Sequence, residues 1–108
     1  MRNEPHEKLN RENQMAVYRI TRFAASDMDK VKEATDNMRG ILEGVGADFI
    51  DLISYGNGKG VVIAKYPDQA TMEATSDVAS KAFADMISAG VVDADSVHPH
   101  VGEVFNSF

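Results

Sequence analysis

No cysteine and no tryptophan occur among the 108 residues. Without cysteine the chain has no disulfide, no thiolate nucleophile and no cysteine-based zinc or iron–sulfur site, and thiol pairing says nothing of its redox compartment. Positive charge is also scarce: 11 Lys and Arg stand against 17 Asp and Glu, a formal net charge of −6. Nucleic acid and anionic lipid surfaces both need clustered cations, so neither is expected as a partner. No apolar run approaches the roughly 20 residues of a membrane-spanning helix. The first residues, M-R-N-E-P-H-E-K-L-N-R-E-N-Q, lack the apolar centre of a secretory signal. A cytoplasmic location is the expectation these absences leave.

What is present fits one globular domain, with 44% hydrophobic and 26% charged residues. Residues 1–14 are polar, with Leu9 the only large aliphatic side chain after Met1. They are expected to form an arm lying against a partner subunit, ahead of a domain over 15–108.

The strongest local signal lies between Asp48 and Tyr66. Two β-rich runs, D-F-I-D-L-I-S-Y and V-V-I-A-K-Y, flank the turn G-N-G-K-G, the composition of a tight hairpin. Both runs are apolar on both faces: Ile50 and Leu52 point one way and Phe49 and Ile53 the other, while Val61 and Ile63 alternate with Val62 and Ala64. A sheet of this kind needs a cover on each side.

Met15–Phe23 reads as a first strand, with Arg19 and Arg22 an odd number apart and so on opposite faces. The segment from Ala24 to Gly46 then shifts to a helical period. Met28, Val31, Met38, Ile41, Leu42 and Val45 form its apolar stripe, Ser26 with Asp29 resembles a capping box, and Gly44 and Gly46 offer stops. After Pro67, Asp68 is placed to cap a second helix whose stripe is Met72, Val78, Ala79, Ala82, Phe83, Met86 and Ile87, closed by Gly90. The tail H-P-H-V-G-E-V-F-N-S-F alternates as a last strand, and Pro99 favours an edge position.

The order strand, helix, strand, strand, helix, strand predicts an α+β fold of ferredoxin-like βαββαβ type, a four-stranded antiparallel sheet with two helices on one face. The other face is then apolar and open. Burial against a second copy of the chain removes that exposure, so a homodimer joined through its sheet faces is expected.

The element order, the tail H-P-H-V-G-E-V-F and the phrase K-Y-P-D-Q-A-T-M together resemble the dimeric α/β-barrel superfamily over residues 15–108. That superfamily includes antibiotic-biosynthesis-type monooxygenases, heme-degrading monooxygenases, muconolactone isomerases and stress-responsive barrel proteins. The resemblance implies a small, largely apolar molecule held between sheet and helices in each subunit. The heme-degrading branch uses an Asn, Trp and His set, and the absence of tryptophan departs from it.

Several residues invite a functional reading. His98 and His100, two apart on an extended segment, share one face and suit a proton shuttle or a ligand anchor. Glu103 faces the other way, so three metal ligands do not converge and no metal is expected. Met28, Met38, Met72 and Met86 with Phe83 are core residues by spacing, yet flexible Met side chains beside Ala79, Ala82 and Ala84 also leave room for an adaptable apolar cavity. Tyr18, on the central strand, combines an apolar body with a hydroxyl for a ligand's polar end, and Tyr55 and Tyr66 are of the same kind. Arg19, Arg22 and Lys65 have the charge to neutralise a carboxylate, although strand cations are more often solvated or paired at an interface rim. The turn G-N-G-K-G leads into a strand and has no following Ser or Thr, which excludes a phosphate loop. Asp93 and Asp95 near Ser96 suit turn chemistry, not a triad with His98.

Two functions follow as expectations. One is a dimer that binds a small apolar or amphipathic, fatty-acid-like molecule through Tyr18, Phe83, Met86, His98 and His100. The other is a cofactor-independent monooxygenase or isomerase acting on an aromatic or quinol-like compound, with His98 or His100 as base. No flavin, nicotinamide or heme motif is present, so no cofactor is expected.

Overall fold

A computed structural model describes residues 15–108; the arm expected over 1–14 lies outside the described residues. The elements are β1 (Val17–Ala24), α1 (Met28–Asn37), α2 (Arg39–Glu43), β2 (Phe49–Gly56), β3 (Lys59–Tyr66), α3 (Gln69–Ala74), α4 (Ser76–Ser88) and β4 (His98–Glu103), with a 3-10 turn over Ala94–Ser96. The strands form one antiparallel sheet in the order β2-β3-β1-β4. This is the ferredoxin-like arrangement: β1 and β3 are central, and β4, which carries Pro99, is an edge strand as its proline requires.

The hairpin turns at Asn57 and Gly58, both at positive φ (57° and 74°), the geometry of a type I′ turn. Gly58 is also docked from outside, because its carbonyl accepts the Ala25 N–H at 2.7 Å and ties the turn to the end of β1. The registers Val17↔Tyr66, Arg19↔Ala64, Thr21↔Val62 and Phe23↔Gly60 place those eight residues on the helix side. Tyr18, Ile20 and Arg22 occupy the open side, paired with Lys65, Ile63 and Val61.

The core lies between sheet and helices in two clusters. Phe23, Ala25, Val31, Met86 and Val92 form one, and Val17, Ala64, Tyr66 and Met72 form the other. Phe23 and Phe83 stack at 6.2 Å between centroids, joining β1 to α4.

Each expected helix is divided. The first pauses at Met38, between Asn37 and a segment weakened by Gly40, and the turn rotates Ile41 out of the expected stripe to 63% exposure. Its cap is Asp27, which accepts from the Asp29 N–H, in place of Ser26. The second is divided at Thr75, whose hydroxyl donates back to the Met72 carbonyl at 2.8 Å. In T-S-D such side chains compete with the helical backbone. Asp68 caps as expected, accepting the Thr71 N–H at 2.8 Å. The last strand is shorter than its alternation suggests: it ends at Glu103, and Phe105 and Phe108 are fully exposed.

Candidate functional site

Where the helices bridge the sheet they leave a narrow cavity of about 60 Å³. Its floor is Thr21, Ile50, Leu52, Val62 and Ala64; Met38, at the break between α1 and α2, and Leu42 of α2 wall one side, and α4 contributes Val78, Ala79, Ala82, Phe83 and Met86. The alanines of α4 make this space, since small side chains opposite the sheet do not fill it. A wider groove of about 500 Å³ opens on the β4 side of α4, between Ser76, Ser80, Ala84 and Ile87 above and Val97, Pro99 and Val101 below. Arg19, Thr21, Ala79 and Phe83 belong to the walls of both spaces, so these four form the partition.

Arg19 is the charged member of that partition. Its position follows from the division between α3 and α4. There the Met72 carbonyl accepts the Thr75 N–H at 3.1 Å and the Thr75 hydroxyl, and it also receives Arg19 Nη2 at 3.2 Å. Ser76, the first residue after the division, accepts from Nη2 at 2.9 Å, and Met72 Sδ lies 3.1 Å from the same nitrogen. Nη1 donates to the Tyr66 hydroxyl at 3.4 Å, and the guanidinium carbon stands 5.6 Å from the centre of the Tyr66 ring. The side chain is therefore aimed by four neutral acceptors and one aromatic face.

Of the residues singled out from sequence, Phe83 and Met86 line the cavity, and Phe83 also lines the groove. The structure does not bring Tyr18, His98 and His100 to them. Cross-strand pairing sets His98 opposite Arg22, His100 opposite Ile20 and Gly102 opposite Tyr18, all on the open side of the sheet. Tyr18 there meets Phe49 edge-to-face at 6.2 Å. The polar groups on the helix side are instead Arg19, Thr21, Thr35, Tyr66, Thr75, Ser76 and Ser80. Alternation indicates that the two histidines share a face; only the pairing of β4 with β1 shows which face it is.

The open face carries Ile20, Ile63, Ile53 and Phe49, with Ile20, Phe49 and Ile53 each about two-fifths exposed, and also Asp51, which lies between Phe49 and Ile53 opposite Ile63. Charged pairs lie elsewhere, along exposed helix surfaces: Lys32–Asp36, Asp36–Arg39, Arg39–Glu43 and Lys81–Asp85. Hydrogen bonds from Lys32 and Arg39 hold the Asp36 carboxyl below its usual range. No group of three or more metal-ligating side chains occurs among the described residues, and none of their helices is long and apolar enough to cross a membrane.

No protein-family model and no curated protein sequence matches the chain. Solved structures do resemble it. A protein of unknown function from Nitrosomonas europaea, NE2512, superposes with a TM-score of 0.70 at 12% identity, over 89% of this chain and 95% of its own. Rv0793 from Mycobacterium tuberculosis superposes with a TM-score of 0.60 at 17% identity, over 85% of this chain and 97% of its own. At these identities the likeness is one of fold.

Proposed function

We propose that the chain forms a homodimer through its open sheet faces and binds one small apolar or amphipathic molecule per subunit between sheet and helices, in the manner of the dimeric α/β barrels it resembles. The observation that carries this reading is the pair of spaces beside α4: a cavity walled by Val62, Ala64, Val78, Ala82, Phe83 and Met86 and, across the partition that includes Arg19 and Phe83, a wider, largely apolar groove. A concave, largely apolar space with a few convergent polar groups is the usual form of a small-molecule site. The dimer is supported by the exposure of Ile20, Phe49 and Ile53 on one sheet face, apolar side chains that burial against a second copy of the chain would remove from water.

Binding is favoured over turnover. A cofactor-independent oxygenase or isomerase needs a general base within hydrogen-bond reach of its substrate, and His98 and His100 project from the side opposite the cavity. Native mass spectrometry of the purified protein, followed by denaturing extraction, tests both halves. A dimer carrying one apolar molecule per chain is the expected result. A monomeric mass would overturn the dimer, and a dimer that takes up neither fatty acids nor naphthols on titration would overturn ligand binding.

A further inference from the structure

We infer that Arg19 makes the helix-side space an anion site, so that the ligand class is a small organic carboxylate with an apolar body; this rests on the ligand-binding reading above. Arg19 is half-buried and belongs to the wall between cavity and groove, so that it lines both. Its partners are the Met72 carbonyl and sulfur, the Ser76 hydroxyl and the Tyr66 hydroxyl. All are neutral, and they fix the direction of the guanidinium without cancelling its charge. Among the described residues Arg19 forms no salt bridge, and Glu103, which the pairing with Val17 sets on the same sheet face, forms none with it. A guanidinium among apolar walls, aimed but not neutralised, attracts an anion more strongly than it would in water.

The donors suit a carboxylate. A guanidinium carries five N–H groups in a planar fork. The four bonds made here come from Nη1 and Nη2, and none among the described residues comes from Nε. The Nε–H and one Nη1–H thus remain to donate to a carboxylate, each by a single charge-assisted hydrogen bond. The apolar body has its place beside them, against Phe83, Ala84, Ile87 and Val101 in a groove of about 500 Å³, within the ~300–1,000 Å³ of small-molecule sites.

Isothermal titration of the intact protein with two acids and their neutral counterparts tests this: decanoate against decanol, and 2-naphthoate against 2-naphthol. At least one acid is expected to bind roughly tenfold or more tightly than its neutral partner, and Arg19→Gln to weaken that acid by roughly 10- to 100-fold while leaving the neutral partner nearly unchanged. Arg22→Gln, on the open face, is expected to leave binding as it is. Should Arg19→Gln fail to fold by circular dichroism, Arg19→Lys, which keeps the charge but not the fork, is expected to weaken the acid by a smaller factor. Acids and neutral compounds binding alike, with no change on substituting Arg19, would overturn the anion site and leave ligand binding standing. Binding of none of the four would overturn the ligand-binding reading itself.

Discussion

Phe23 and Gly60 face each other across β1 and β3, and the Phe23 ring occupies the space that a side chain at position 60 would need. A Cβ there would stand 2.9 Å from the ring and 2.8 Å from the Ile53 carbonyl oxygen. Glycine in a strand ordinarily weakens it, yet here it lets an aromatic residue lie flat on the sheet and reach Phe83 on α4. Strand pairing and helix docking therefore meet at one residue.

Gly60→Ala tests that meeting point. Removing a glycine stabilises by about 0.4–1 kcal/mol through the unfolded chain where the site is open. The Ile53 carbonyl cannot move aside as a flexible side-chain end can, so the clash is expected to dominate, with a net loss of about 1–3 kcal/mol. Urea unfolding reads this as a lower midpoint; an unchanged or higher midpoint would mean that Phe23 does not depend on the missing side chain.

At the hairpin tip Asn57 is the one described non-glycine residue at positive φ. Asn tolerates this region because its short polar side chain bonds locally, whereas a β-branched residue does not. Asn57→Val is expected to cost about 1–3 kcal/mol, and Asn57→Gly close to nothing. Equal stabilities for the two variants by thermal unfolding would argue against the turn as described.

These features show what the sequence made legible. The turn residues and the two-residue alternation are local, so the hairpin, the element order and the opposition of Arg19 to Arg22 could all be read from neighbours in the chain. The divisions at Met38 and Thr75 could not, because the apolar period runs on through both, from Met38 to Leu42 and from Met72 to Ala79. Arg19 was visible as a strand cation. Its acceptors at Met72 and Ser76 lie 53 and 57 residues away, and only the fold brings them to it. The side on which His98 and His100 lie depends likewise on the pairing of β4 with β1.

Asp68 gives a prediction in pH. Hydrogen bonds from Thr71 hold its carboxyl below the ordinary value of 3.8. A carboxyl lowered in the folded state contributes stability above its unfolded value, and that contribution is lost as pH falls through the folded one. Asp68→Ala is therefore expected to be less stable than the parent at neutral pH, with the gap narrowing as pH drops below 3.8. Chemical unfolding at a series of pH values checks it, and a gap constant into strong acid would show that the cap's charge is irrelevant.

The open face supplies the last test, because it separates assembly from binding. Ile20 sits between Ile63 on β3 and His100 on β4, near the middle of the open face. A carboxylate placed there would have to leave water in a face-to-face dimer, at a cost of several kcal/mol. Sedimentation of Ile20→Asp is expected to give the monomer mass where the parent gives the dimer. The double variant His98→Ala, His100→Ala alters the same face without adding charge. It is expected to shift the dimer's dissociation constant while leaving carboxylate binding at Arg19 unchanged, since the histidines and the cavity lie on opposite sides of the sheet. Loss of carboxylate affinity in the double variant, with assembly unaltered, would move the ligand to the open face and reverse the assignment of the two sides.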